Sequence, residues 1–180
     1  MKLYHSGYDV IKSPDLKHGR KNADFEQGFY LSPDEEFSRK WAMPRTGREC
    51  IINTYELDET NLRIKTLKRD ETWFGYNLEN RRYAHDLYEE YDVIIGPVAN
   101  DTIYDTLGIT SGNWLSNEDL LAILSAGPLY TQAVIKSEEA KKHLSFLSHE
   151  VLDPEAVREK RKSVRAEEEE FQKAMAEILK

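Results

Sequence analysis

An imidazole and two aromatic rings are the residues of this 180-residue chain whose types and spacing could do chemistry. His5 precedes Ser6-Gly7, where a short strand is expected to end, so its ring could project into a cleft. Tyr30 and Trp41 stand eleven residues apart, a layout that could place two rings facing each other across that cleft. The same pattern is also consistent with aromatic side chains that are simply core residues and with a structural histidine.

A strand followed directly by a helix is predicted to position the two rings. Residues 29–31 are aromatic and apolar, as a buried strand requires. Three residues then fit the preferred positions of a helix start: Ser32 as N-cap, Pro33 as the first helical residue and Glu35 at N3. Phe37 and Trp41, four residues apart, would share one face of this helix.

The rest of the chain predicts an α+β domain over residues 1–150. Strands are expected at 1–5, 50–57, 62–64, 93–95 and 130–135, and helices at 70–91, at 117–126 after the cap Ser116, and after the cap Ser137, with Ala140 and Leu144 facing inward. Residues 11–27 read as a loop with a basic cluster, which is either solvated or a phosphate clamp. That cluster contains Lys17, His18, Arg20 and Lys21.

A long charged helix is predicted over residues 151–180, beginning at Asp153-Pro154. Its apolar residues Val157, Val164 and Phe171 are spaced by seven, which is typical of a coiled-coil seam. We expect this helix to pack on the domain or on a partner protein. A partly disordered tail is the alternative.

Composition excludes several classes of protein. The net charge is −8, so a nucleic-acid partner would need a local basic patch. The candidate patch consists of Lys65, Lys68, Arg69, Arg81 and Arg82. Cys50 is the single cysteine, so neither an internal disulfide nor a cysteine zinc site is expected, and no other metal site is indicated. Neither a signal peptide nor a membrane span is indicated, which predicts a cytoplasmic protein.

Three motifs in order resemble the ADP-ribosyltransferase fold of the diphtheria-toxin and poly(ADP-ribose) polymerase type. They are Tyr4-His5-Ser6-Gly7, then Gly28-Phe29-Tyr30 with Trp41 eleven residues on, then Gln132 opening a strand before a helix rich in Glu and Ala. The third motif of that class begins with glutamate, so this chain is a His-Tyr-Gln variant. Residues 14–31 and 91–101 are similar to a bacterial family of unknown function grouped with these enzymes. The resemblance covers about residues 1–147.

The resemblance implies a split β-sandwich with flanking helices and NAD as the substrate. His5, Tyr30 and Gln132 would be catalytic residues. His5 would bind ribose hydroxyls, and the neighbouring backbone at Ser6 and Gly7 would hold the nicotinamide amide. The nicotinamide ring and the pyrophosphate would be bound by Tyr30, stacking on one face, Trp41, covering the other, and Arg20, pairing with phosphate oxygens.

Gln132 in place of glutamate leaves three outcomes open, because a neutral amide cannot act as a general base. The enzyme could use an acceptor that is already nucleophilic, recruit another carboxylate such as Asp24 or Asp101, or bind NAD without turnover. We expect mono-ADP-ribosyl transfer to a protein or nucleic acid. The plausible biological settings are a bacterial toxin–antitoxin or phage-defence module, with an antitoxin or other partner at the C-terminal helix, or an injected effector.

Two other functional classes are weighed against this enzyme. One is a catalytically silent NAD- or nucleotide-binding module that acts through its C-terminal helix. The other is a helix-mediated interaction protein in which the aromatic residues are only core. The enzyme accounts for three ordered motifs at once, whereas the interaction protein treats their order as chance.

Overall fold

The computed structural model describes residues 1–83, 86–99, 116–125 and 127–178, and it is a mixed α+β structure, as predicted. The elements of these residues, in chain order, are β1 (Lys2–Gly7), β2 (Phe29–Leu31), α1 (Glu35–Trp41), β3 (Ile51–Leu57), β4 (Ile64–Thr66), α2 (Glu71–Tyr83), β5 (Val93–Pro97), α3 (Asn117–Ser125), β6 (Thr131–Ile135), α4 (Glu138–Lys142), β7 (Leu144–Val151) and α5 (Pro154–Ile178).

The strands form two sheets that meet at one point beside the site. One sheet is antiparallel with the order β1-β3-β7, and the other has the order β2-β6-β5-β4, with only β4 and β5 parallel. Tyr4 and Ser32 join them, because each backbone N–H donates to the other's carbonyl at 2.8 Å. This bridge brings the ends of β1 and β2 together, and with them His5 and Tyr30.

The sheets pack face to face over one shared core. Leu3 and Tyr55 of the first sheet are fully buried against Phe29, Ala133 and Ile135 of the second. A second cluster lies under α2, where Trp73 and Tyr76 pack with Phe25. Burial of this apolar surface holds the two sheets in one unit.

The start of α1 differs from the prediction, because its N-cap is Asp34 and not Ser32. The carboxylate of Asp34 accepts a hydrogen bond from the Phe37 N–H at 3.1 Å. Ser32 is unavailable as a cap because its backbone is bound to Tyr4, and its Oγ donates to the carbonyl of Thr131 at 2.7 Å. The tie between the sheets therefore delays the helix by two residues.

Residues 144–151 form a strand that the sequence pattern did not indicate. The helix capped by Ser137 ends at Lys142, so Leu144 is buried in β7 and not on a helix. Strand β7 is specified by its pairing with β3 along its length, because most of its own side chains are exposed and carry no alternating pattern.

Three other boundaries shift and one cap is as predicted. Strand β1 extends to Gly7, β4 is Ile64–Thr66 and not 62–64, and α2 ends at Tyr83 well before residue 91. Ser116 caps α3, since its Oγ accepts from the Asp119 N–H at 3.1 Å.

The long helix α5 packs on the domain along its length. Asp153 caps it, with Oδ2 accepting from the Ala156 N–H at 3.0 Å. Val157 and Phe171 are buried, and Lys40 of α1 donates to Glu167 at 2.5 Å. No helix in the described ranges is both long and apolar enough to cross a membrane.

Candidate functional site

A cavity of about 270 Å³ lies where the ends of β1, β2 and β6 meet α1. We call it the first cavity. Six of the seven residues predicted for the site line it: His5, Ser6, Arg20, Tyr30, Trp41 and Gln132. They come from positions up to 127 residues apart, so the fold gathers them and the local sequence does not.

Gly7 is the predicted site residue that does not line the first cavity. A Cβ at this position would lie 3.2 Å from Nε2 of His5, closer than most side-chain contacts allow. The prediction that the backbone of Gly7 touches the ligand is therefore not met in this geometry. What Gly7 provides is space for the His5 ring on the same face of β1.

His5 is held as a neutral imidazole with a defined tautomer. Its Nδ1 lies 2.8 Å from the carbonyl oxygen of Tyr30. A carbonyl only accepts, so Nδ1 carries the proton and Nε2 keeps a lone pair. Burial lowers the pKa of His5, although the bond to Tyr30 opposes the shift. Nε2 is therefore an acceptor for a ligand hydroxyl.

Tyr30 offers its ring to the cavity, while its hydroxyl is used by the protein. The hydroxyl donates to the carbonyl of Glu26 at 2.7 Å and accepts from the N–H of Phe25 at 2.8 Å. These bonds close the turn before β2, where Glu26 has a left-handed φ of 69°. Burial, with the charge of Asp24, raises the pKa of Tyr30 well above its usual value. Its part in the site is accordingly stacking and not proton transfer.

Trp41 and Arg20 form the rim of the first cavity. The Trp41 side chain is 52% exposed and its ring centroid lies 5.4 Å from that of Phe37. Phe37 in turn stacks on Tyr130 at 4.4 Å, which fixes the helix that carries Trp41. Arg20 is an exposed cation at the mouth, where an anionic part of a ligand would pass.

Gln132 forms the floor of the cavity together with a carboxylate. Its Nε2 donates to Oδ2 of Asp24 at 2.8 Å and lies 3.4 Å from the carbonyl oxygen of Pro97. Two acceptors on that side fix the amide orientation, because only the NH₂ group can donate. Among the described residues none donates to Oε1 of Gln132, so this oxygen is available to a ligand that lines up with it.

Asp24 is the charged residue of this floor, and its surroundings match a carboxylate. It is 7% exposed and lines the cavity. Oδ1 accepts from Nε of Arg81 at 2.8 Å and forms an ion pair with the same guanidinium, while Oδ2 also accepts from the Ala99 N–H at 3.1 Å. A buried carboxylate with these donors is stabilised in its ionised form.

Arg81 was missed as a site residue and was predicted to belong to a basic surface patch. It is buried against Asp24, and Arg69 donates to backbone carbonyls of residues 125, 127 and 128. The signal for Arg81 was present, because Trp73 and Asn77 precede it at steps of four on a buried helix face. Asp101, the other candidate carboxylate, lies outside the described residues.

Comparison with known protein families matches residues 1–146 to the family described as "Protein of unknown function (DUF3990)". The match spans every residue that lines the first cavity and leaves α5 outside. The search of curated proteins finds no match. The family thus includes the site, while its chemistry has to be argued from the geometry.

Proposed function

We propose that this chain, which belongs to the DUF3990 family of proteins of unknown function, is an NAD-dependent mono-ADP-ribosyltransferase with a split β-sandwich fold of that class. The observation that carries the proposal is the shared cavity of His5, Tyr30 and Gln132, three residues from three distant motifs. Their order and strand positions match the His-Tyr-Glu pattern of the class, with glutamine at the third position.

The proposed reaction exchanges one bond at the ribose of NAD. The N-glycosidic bond between ribose C1′ and nicotinamide breaks, and nicotinamide leaves with the bonding electron pair. A nucleophilic atom of the acceptor forms the new bond to C1′ and loses its proton to solvent. The transition state carries positive charge on the ribose, so placement and negative potential near C1′ matter more than a strong base.

The atoms of the first cavity fit the parts of NAD that take part. Nε2 of His5 accepts from a ribose hydroxyl, and Oε1 of Gln132 accepts from a hydroxyl of the nicotinamide ribose. The ring of Tyr30 stacks on nicotinamide, and Trp41 covers it from the rim. The volume of about 270 Å³ is slightly below the ~300–1,000 Å³ of small-molecule sites, so the nicotinamide riboside is enclosed and the remainder extends past Arg20.

Asp24 compensates in part for the missing glutamate. Its carboxylate accepts from the NH₂ of Gln132, and a chain of hydrogen bonds polarises its members, so Oε1 becomes a better acceptor. The negative end of this chain faces the cavity, while Arg81 balances the charge of Asp24 on the other side. Asp24 is therefore a positioning residue that acts through Gln132.

Transfer of label from NAD tests the proposal. Purified protein is incubated with a cell lysate and NAD labelled on the adenylate, and incorporation into macromolecules is measured beside nicotinamide release. We expect both with the wild type and neither with His5→Ala, while His18→Ala, an exposed loop histidine, retains both. Absence of label and of nicotinamide release in the wild type would refute the transferase.

A silent NAD-binding module is the second candidate, and the charge of the floor favours it. Gln132 is neutral and Arg81 neutralises Asp24, so no uncompensated carboxylate lines the cavity among the described residues. A binding module would raise its melting temperature with NAD and release no nicotinamide. The transferase does both, so one pair of measurements separates the two candidates.

The biological role that we propose is a toxin of a bacterial toxin–antitoxin or phage-defence module, or an effector, that acts in the cytoplasm. Its C-terminal helix α5 is the proposed contact for an antitoxin or other partner. Expression of the wild type alone should slow growth, and His5→Ala should relieve it. Normal growth with both would exclude the toxin.

A further inference from the structure

A second cavity, of about 460 Å³, lies beside the first and is lined by three arginines and one acidic residue in the described part of the chain. We call it the arginine cavity. The arginines are Arg45 and Arg48, from the loop before β3, and Arg158, from the first turns of α5; the acidic residue is Glu49. The chain as a whole has a net charge of −8, so this concentration of positive charge is local.

Two of the three guanidinium groups have no acidic partner. No carboxylate among the described residues lies within ion-pair distance of Arg45 or Arg158, whereas Arg48 donates to both oxygens of Asp9 at 2.8 Å. Arg45 and Arg48 lie 5.9 and 5.4 Å from the ring centre of Tyr8, which fixes their directions. Planar guanidinium groups held in this way match the paired oxygens of a phosphate.

The arginine cavity is joined to the first cavity by a short piece of chain. Trp41 lines one cavity and Pro44 lines the other, and three peptide steps span at most about 11 Å. Met43 lies between them, 53% exposed, with its carbonyl accepting from the hydroxyl of Tyr8 at 3.0 Å. A few nucleotides would reach from the arginines to the rim of the first cavity.

We propose that the arginine cavity binds the phosphates of a single-stranded nucleic acid, which is the acceptor of ADP-ribose. The inference rests on the proposed function and adds its substrate class. Phosphates would pair with Arg45 and Arg158, and a base would stack on exposed Trp41 at the mouth of the first cavity. A base inside a duplex cannot reach an enclosed site, so the strand must be single. A nucleophilic nitrogen or hydroxyl of that nucleotide then bonds to ribose C1′ as nicotinamide leaves.

Binding of a labelled oligonucleotide tests this inference without NAD. Fluorescence anisotropy is measured with short single strands of RNA and of DNA for the wild type and for the double variant Arg45→Gln/Arg158→Gln. The matched control is Lys162→Gln/Lys173→Gln, which removes the same charge from exposed positions further along α5. We expect at least tenfold weaker binding in the arginine variant, and a salt slope smaller by about 2, one for each lost phosphate contact.

Each outcome bears on one claim. Equal binding and equal salt slopes in the two double variants would overturn the arginine cavity as a nucleic-acid site. Label from NAD found only on protein would overturn the nucleic acid as acceptor and point to an acidic peptide instead. Because the anisotropy does not involve NAD, it can succeed or fail whether or not the transferase activity is found.

Discussion

The Nε2 of Gln132 donates a hydrogen bond of 2.8 Å to Oδ2 of Asp24, so an amide and a carboxylate share the floor of the first cavity. A glutamine in this place is matched to its neighbour, because a glutamate would set two carboxylates against each other. The departure from the glutamate of the ADP-ribosyltransferase class is thus tied to a second residue, Asp24, 108 positions earlier.

Gln132→Glu should fold with a pH-dependent penalty. The new carboxyl would be buried against Asp24, which raises its pKa above the ~4.3 of an unfolded glutamate. Folded protein would then bind a proton that unfolded chain releases, so the free energy of unfolding should fall as pH rises above about 4.3. Urea unfolding at several pH values measures this. Gln172→Glu, on the exposed face of α5, should show no such trend; the same trend in both variants would contradict the argument.

Tyr30→Phe should separate the ring of Tyr30 from its hydroxyl. The ring remains for stacking, while two hydrogen bonds to the turn at Phe25 and Glu26 are lost, which should cost about 1–3 kcal/mol. We expect NAD to raise the melting temperature of this variant as it does that of the wild type. Tyr30→Ala removes the ring as well and should cost about 3–5 kcal/mol and lose the NAD shift. A lost NAD shift in Tyr30→Phe would show that the hydroxyl itself serves the ligand.

Glu26 should make the protein less stable as pH rises. Burial, with a hydrogen bond to Asp86, raises the pKa of Glu26 to about 8, although its partner Lys136 opposes the shift. The folded chain holds a proton that the unfolded chain releases above about 4.3, so the free energy of unfolding should decrease between about pH 4.3 and pH 8. Glu26→Gln should flatten this decrease, and exposed Glu89→Gln should not. An equal slope in Glu26→Gln and the wild type would assign the effect elsewhere.

Helix α5 should stabilise the domain through Phe171. This side chain is 5% exposed and packs in the cluster that contains Trp73 and Phe25. Phe171→Ala should therefore lower the free energy of unfolding by about 3–5 kcal/mol. Val164→Ala, at a half-buried position of the same helix, should cost distinctly less. Denaturation of both variants measures this, and an equal small effect would mean that α5 is dispensable to the fold.

The fold class and the gathering of the site follow from features that the sequence states locally. The apolar pattern around Tyr30 and the spacing to Trp41 indicate a strand and a helix. The long helix is marked by Asp153-Pro154 and its apolar stripe. His5, Tyr30 and Gln132 line one cavity because each stands at a strand end, which periodicity can locate.

The parts that could not be predicted depend on contacts between distant residues. The backbone of Ser32 is taken by Tyr4, so the helix cap falls on Asp34. Strand β7 exists because β3 pairs with it, and its exposed face gives no pattern. Arg81 looked like surface charge, because nothing near it in sequence shows the buried Asp24 that it meets.

Calorimetric titration of NAD into the wild type and into Gln132→Leu tests the central claim most directly. The first cavity requires NAD to bind through Oε1 of Gln132 and Nε2 of His5, so Gln132→Leu and His5→Ala should each weaken binding at least tenfold. Glu167→Gln, outside the cavity, should bind as the wild type does. No binding by the wild type, or equal binding by all variants with their folds intact, would contradict the account.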